Sequence, residues 1–413
     1  MREMKDSGIE WAGVIPNTWN INKGKYFMEL LTRPTLETDE VITCFRDGEV
    51  TLRSKRREEG FTVSLTEAGY QGIEIGDLVV HGMDGFAGSI GISDSRGKAT
   101  PVLNVLDTEQ NKRYMMYLMR TMAYCELFLS LATGIRVRTC DTNWKKLREI
   151  DYILPTIPEQ KAIADFLDEQ CAEIDSLISD FQSQIEALEE YKRSVITEAV
   201  TKGLDPDVEM RDSGVQWIGM MPTHWDCQRG KYLLRYVQKP VRDDDGVITC
   251  FRDGEVTLRS NRREEGFTMA DKEIGYQGID VGDLVVHGMD GFAGSIGISD
   301  SKGKASPVLN VLDTEQNKRY IMYYLRSMAY NDVFVALATG IRVRSCDLRW
   351  NKLAELLYPM PPVEEQQAIV EHIDSVLERT NAIIADKKQQ IETIEEYKKS
   401  LIFEYVTGKK EVA

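Results

Sequence analysis

The side chains best placed to do chemistry lie in a glycine-rich stretch, GDLVVHGMDGFAGSIGISDS, from Gly76 to Ser95. Glycine allows positive φ and close backbone approach, so Gly82, Gly85, Gly88 and Gly91 could carry His81, Met83, Asp84 and Phe86 on a tight excursion toward a ligand. A pair of β-turns linking two strands would use the same glycines. The stretch returns unchanged from Gly282 to Ser301, which adds His287, Met289 and Asp290 to the candidates. A second group is basic: Arg53, Lys55, Arg56 and Arg57, matched by Arg259, Arg262 and Arg263. Arginine can place two hydrogen bonds on a guanine edge or hold phosphates, so this cluster suits nucleic acid. Pairing with Glu58 and Glu59 on a solvated surface accounts for it as well. Arg136 and Arg138, in the run from Thr133 to Arg138, and their copies Arg342 and Arg344 alternate with apolar residues at strand period. A phosphate contact and a half-exposed strand both fit that pattern.

Catalytic signatures are missing. The sequence holds no G-x-x-x-x-G-K-[ST] phosphate loop, no G-x-G-x-x-G after a strand, no G-x-S-x-G and no H-E-x-x-H. It also has no N-P-P-Y or D-P-P-Y tetrad of the kind that positions a target amine in adenine methyltransferases. Asp205-Pro206-Asp207-Val208-Glu209 loosely resembles a nuclease carboxylate cluster, but its equivalent at the C-terminus is lost, and a turn or cap explains it. Seven scattered cysteines without a C-x-x-C pair, and four histidines, argue against a disulfide framework and a zinc site. Cys44 and Cys250 sit in equivalent apolar contexts and read as buried thiols. The expectation is a binder with no catalytic residue and no metal.

The elements that must position these residues are themselves repeated. Shifting the sequence by 206 residues keeps it in register without a gap, from Met4–Trp19 against Met210–Trp225 to Leu188–Lys192 against Ile394–Lys398. The length of 413 is one residue more than two such periods, so the pattern is that of a ring cut once, with the C-terminal helix expected to end near the N-terminal segment. There is no run of eighteen apolar residues and no charged-then-apolar leader, which gives the expectation of a cytoplasmic chain with no membrane contact.

The net charge of −16 speaks against nucleic acid only until it is divided by segment. Residues 19–150 hold 18 Lys+Arg and 18 Asp+Glu, and residues 225–356 hold 19 of each. Residues 151–210 hold 4 and 15, and residues 357–413 hold 7 and 11. The acidity belongs to the connecting and C-terminal segments, so each repeated body is neutral and free to carry a local basic patch.

Each unit opens on a Pro-x-x-Trp element, Pro16 to Trp19 and Pro222 to Trp225, which reads as a turn pinned by a buried indole. The body that follows shows short β-rich runs at Val41–Phe45, Asp77–His81 and Ser89–Ser93, then a helical segment near Glu109–Ala132. From Pro158 to about Thr201 the apolar period becomes that of a heptad: Ile163, Leu167, Ile174, Ile178, Phe181, Ile185, Leu188, Tyr191 and Val195. The second copy gives Ile369, Ile373, Val376, Ile383, Ile391, Ile394, Tyr397 and Leu401, with Thr380 and Lys387 as polar departures. Such helices, roughly 64 Å long at 1.5 Å per residue, need a partner, and the two copies are the obvious pair. A twofold relation would make the pair antiparallel, a spacer with a body toward each end.

The paired I/M-P-x-x-W lead, and the entry to each long helix, Pro155-Thr156-Ile157-Pro158-Glu159-Gln160 and Pro361-Pro362-Val363-Glu364-Glu365-Gln366, carry a resemblance. With the order body, helix, body, helix, the whole chain resembles the specificity subunit of type I restriction-modification systems. The resemblance implies an α+β fold: two target recognition domains, residues 1–154 and 204–360 with the linker, alternating with two conserved helices, residues 155–203 and 361–413, in an antiparallel coiled coil with a pseudo-twofold internal repeat. It implies double-stranded DNA as ligand and methyltransferase subunits, two of them, as partners, with restriction and translocase subunits able to join. S-adenosylmethionine, ATP and Mg²⁺ would belong to those partners and none to this chain. Between Val41–Tyr114 and Val247–Tyr320 there are 10 differences in 74 positions, five of them in Val63–Ala68. Near-identical readers should read one half-site twice, inverted, as an interrupted palindrome. The alternative is a coiled-coil scaffold with paired protein- or glycan-binding bodies.

Overall fold

The computed structural model describes residues 2–56, 67–130, 142–262, 274–337 and 348–412. The chain divides into two compact units, Met1–Phe181 with Lys388–Ala413, and Gln182–Lys387. The strands of the first are β1 (Met4–Asp6), β2 (Val14–Pro16), β3 (Asn20–Lys23), β4 (Met28–Leu30), β5 (Ile42–Cys44), β6 (Val50–Leu52), β7 (Gln71–Ile73), β8 (Leu78–His81), β9 (Ile90–Ile92), β10 (Gly97–Ala99), β11 (Leu103–Thr108) and β12 (Asp151–Leu154). The same strands recur 206 residues on as β13 (Met210–Asp212) to β24 (Leu357–Met360). The principal helices are α1 (Lys112–Tyr124), α2 (Ile157–Lys202), α3 (Lys318–Tyr330) and α4 (Val363–Val406). This is a mixed α and β chain of two matching bodies and two long helices, the class expected from the sequence.

In the first unit an antiparallel sheet orders β4-β11-β8-β9. Leu78, Val79 and Val80 are all fully buried, a run without alternation, because this sheet is covered on both faces. Leu78, Val80 and Leu106 join a core with α1. Val79 and Val105 point the other way, into a smaller core with Ile42, Cys44, Val50 and Ile73. Burial there pushes the Cys44 thiol up to about 12, as it does Cys250 in the second unit, so neither is a reactive thiolate. Helix α1 is capped by Asn111, whose side chain accepts from the Tyr114 N–H at 3.0 Å. It is buried on most sides, from Tyr114 to Met119, because the start of α2 and the end of α4 pack on the side away from the sheet.

The entry to each long helix is a joint. Pro158 stands in the first turn of α2, where a missing N–H costs nothing. Gln160 is fully buried; its Oε1 accepts the Asn111 N–H at 2.9 Å, and its Nε2 donates to the Pro155 carbonyl at 2.9 Å and to Gln110 Oε1 at 2.7 Å. Gln366 does the same with Asn317, Pro361 and Gln316. The helix exits are glycines in the left-handed region, Gly203 at φ +76 and Gly408 at φ +69. A Cβ on Gly408 would fall 2.5 Å from Pro16 and 2.8 Å from the Trp19 ring, and Lys409 Nζ donates to the Ala12 carbonyl at 2.9 Å. The C-terminal helix therefore ends against the N-terminal segment. In the second unit Gly203 lies by Trp225 and Pro222 in the same way.

Within each unit the two helix segments run antiparallel. In the first, Phe166 packs on Tyr405 with centroids 4.4 Å apart, and Asp175 pairs with Lys398 at 2.6 Å, so numbers rise along one helix as they fall along the other. In the second, Lys387 Nζ donates to Gln184 Oε1 at 2.5 Å. The seam departs from the expected heptads at particular positions. Tyr191, Tyr397 and Ile383 are exposed, whereas Lys192 and Lys398 are half-buried and Ile384 is buried. At 3.6 residues per turn a fixed heptad position drifts around the helix, and a lysine stem can cover the seam while its ammonium reaches water. Thr380 is buried and returns its hydroxyl to the Val376 carbonyl at 2.8 Å, satisfying a polar group where the first copy has Ile174.

Candidate nucleic-acid interface

The strand–turn–strand expected before the arginine cluster is the hairpin β5–β6, with Ile42 opposite Leu52 and Cys44 opposite Val50. Its turn is closed by Gly48 N–H to the Phe45 carbonyl at 2.9 Å and by Asp47, which accepts from the Glu49 N–H at 3.0 Å. The Gly76–Ser95 stretch forms β8, a connection and β9, with Val80 opposite Ile90. The glycines thus make a tight excursion between two paired strands. A Cβ on Gly91 would lie 1.9 Å from the Gly48 carbonyl oxygen, so only glycine lets this strand pass under the hairpin turn. The two candidate groups are thereby brought onto one surface.

The basic cluster has partners among the described residues. Arg56 pairs with Asp47 at 2.7 Å and Glu49 at 2.9 Å and lies over the Phe45 ring, 4.2 Å from its centroid. Lys55 meets Asp94 at 3.1 Å and Ser95 Oγ at 2.9 Å. Arg53 Nε donates to Thr43 Oγ1 across the hairpin at 3.1 Å. Arg262 and Arg259 repeat these bonds with Asp253, Glu255, Phe251 and Thr249. Asn261 stands where the first copy has Lys55 and donates to Thr257 Oγ1 at 2.8 Å. Surface ion pairs of this kind contribute about 0–1 kcal/mol, so a phosphate could displace the carboxylates at little cost. Arg57, Arg136, Arg138, Arg263, Arg342 and Arg344, as well as Glu58 and Glu59, lie outside the described residues.

The excursion itself is held by its own side chains. His81 Nδ1 accepts the N–H groups of Met83 at 3.2 Å and Asp84 at 2.9 Å. The Gly82 N–H donates to the Val102 carbonyl at 2.7 Å, and the Thr142 N–H to the Gly82 carbonyl at 2.8 Å. Burial pushes His81 below the ordinary imidazole value of 6.5, with Asp84 opposing and Arg46 assisting, and His287 is displaced the same way. The neutral ring fits the geometry, since an Nδ1 that accepts two N–H groups has no room for a proton. Arg46, which residue type and spacing alone did not single out, donates to Asp84 Oδ1 at 3.0 Å from the hairpin turn, and Arg252 does so to Asp290 at 3.2 Å. Its sequence signal was the F-R-D-G turn beside the cluster. Among the described residues no group of His, Cys, Asp or Glu is placed to hold a metal ion, and no helix is long and apolar enough to cross a membrane.

No protein-family profile matches the sequence. A putative type I restriction enzyme MjaX specificity subunit of Methanocaldococcus jannaschii is 24% identical over 322 residues, covering 74% of this chain and 71% of the relative. The type I restriction enzyme MjaVIII specificity subunit of the same organism is 26% identical over 326 residues, covering 73% and 72%. A solved structure from a study of complex assembly and conformational transition in a type I R-M system superposes with a TM-score of 0.68 at 11% identity, over 96% of this chain and 99% of that one. Over about three quarters of its sequence the chain is similar to type I restriction enzyme specificity subunits, and over nearly all of its length it shares the fold of a chain from a type I R-M system. The surface built by the hairpin β5–β6 and the β8–β9 connection, repeated in the second body, is the candidate reading face.

Proposed function

We propose that the chain reads a bipartite double-stranded DNA site, one half with each body, and docks two methyltransferase subunits, with restriction and translocase subunits able to join. The observation that carries this reading is the doubling of one surface. Arg46, Arg56, His81, Met83 and Asp84 recur as Arg252, Arg262, His287, Met289 and Asp290 with the same bonds. Charge supports the same division of labour. The acidic segment 151–210, with 4 cations against 15 carboxylates, repels phosphate, whereas the bodies are neutral overall. DNA would meet the bodies, and protein partners the helices. Near-identical readers favour identical half-sites, and the antiparallel helix pairing within each unit favours their inversion into an interrupted palindrome. S-adenosylmethionine, ATP and Mg²⁺ would be held by the partners, in the cytoplasm.

A gel shift of the chain together with its methyltransferase subunits tests this. Duplex DNA should be bound with an affinity that falls steeply with salt. Replacing Arg56 and Arg262 by alanine should flatten the slope by about one for each phosphate that is no longer neutralised. No binding to duplex, with retention on a protein or glycan array instead, would leave a coiled-coil scaffold as the better description.

A further inference from the structure

Within the reading face, one side chain is exposed at a cost the fold does not need to incur. Met83 is 56% exposed and Met289 57%, each on a turn whose backbone is fixed on both sides. In the first unit His81 Nδ1 accepts the Met83 and Asp84 N–H groups, the Gly82 N–H donates to the Val102 carbonyl, and the Thr142 N–H donates to the Gly82 carbonyl. A rigid turn carrying a flexible, unbranched thioether presents an apolar probe at a defined place. Beside it stands Arg46, whose side chain is 69% exposed yet tethered by Asp84 at 3.0 Å. Arg252 and Asp290 repeat the arrangement.

The chemistry of base edges says what such a pair can recognise. In the major groove the outstanding apolar feature is the thymine 5-methyl group, and the double acceptor edge is that of guanine, N7 with O6. We infer that Met83 and Met289 each contact a thymine 5-methyl group, that Arg46 and Arg252 each address a nearby guanine, and that His81, Asp84 and their copies are positioning residues. This rests on the proposed reading of the chain as a DNA reader. It goes further by naming the bases and the side chains that distinguish them. Arg56 and Lys55, already engaged with two acidic groups or with Asp94 and Ser95, are left for phosphate.

The test uses the full chain with its methyltransferase subunits and duplexes of the mapped site. Each thymine is replaced in turn by deoxyuridine, which removes only the methyl group, and each guanine by 7-deazaguanine. Removing one buried methyl group, about 0.8 kcal/mol, corresponds to roughly fourfold weaker binding for one half-site and about fifteenfold for both. The wild-type complex should show this at one thymine in each half. The Met83→Ala/Met289→Ala variant should not distinguish thymine from uracil there while keeping its non-specific affinity. Met83→Leu/Met289→Leu, which keeps an apolar tip, should retain part of the discrimination. Arg46→Ala/Arg252→Ala should abolish sensitivity to deaza substitution at one guanine per half. A sequence-selective complex with no thymine position sensitive to uracil, or an alanine variant that still discriminates, would overturn the methionine's role. Undiminished deaza sensitivity would overturn the arginine's. A complex with no sequence preference would instead overturn the DNA-reading function itself.

Discussion

Replacing Trp225 by alanine should destabilise the chain by about 3–5 kcal/mol, the range for removing a large aromatic side chain from a packed core. Trp225 is fully buried, and Trp19 nearly so. Each stands where the lead segment, the glycine that ends a long helix and the body meet, so the cavity has no nearby loop free to collapse into it. The phenylalanine variants separate the two copies. Trp225 Nε1 donates to Glu365 Oε1 at 3.0 Å, a carboxylate that also takes His224 Nε2 at 2.9 Å. Trp19 Nε1 is buried without a partner among the described residues, because Glu159, the equivalent carboxylate, is turned to Arg2 at 2.5 Å. Trp225→Phe therefore removes a charge-assisted hydrogen bond, and Trp19→Phe removes only ring volume. The first should cost about 1.5–3 kcal/mol more than the second, read as a difference in urea midpoint of the full chain. Equal losses would mean that the indole N–H of Trp225 adds nothing in its place.

The second large effect is expected at the helix entries. Gln160→Leu and Gln366→Leu keep the volume of a fully buried side chain and delete all of its hydrogen bonds. The N–H of Asn111 and the carbonyl of Pro155 are then left without the partner they have now, at about 1–3 kcal/mol for each group stranded. Asn111 also caps α1, so the loss falls on the joint between the reading body and the long helix that carries it. Stability should drop by about 2–5 kcal/mol in unfolding measurements. The spacer between the half-sites should also be read less strictly, measured as affinity across duplexes with the spacer lengthened or shortened by one base pair. A variant with unchanged stability would show that the glutamine is not the fastening of that joint.

Much of this architecture was legible because the sequence states it twice. A strand in one copy fixes its counterpart 206 residues on, and the helix expected over Pro158–Thr201 spans Ile157–Lys202. The buried indoles and the closure of the C-terminal helix on the lead segment followed from the same repeat. What was not legible depends on distance along the chain. The seam could be counted in heptads, but whether Tyr191 or Lys192 faces the partner helix is decided by helix phase and by the neighbour opposite, and the lysines face inward. The arginine cluster was visible as charge. Its partners were not, since Lys55 reaches Asp94, 39 residues away, and the Asp84 partner of Arg46 lies 38 away. Both lie well beyond the sequence neighbours that charge alone suggests. The glutamine of the helix-entry motif was visible as a residue type, whereas its work lies 49 residues back, on Asn111.

The reading of one half-site twice is tested most directly by single-molecule methylation mapping of a host that carries this chain with its methyltransferase. The expected result is a single interrupted motif whose second half is the reverse complement of its first, methylated in both halves. Two unrelated half-sequences, or methylation without a motif, would contradict it.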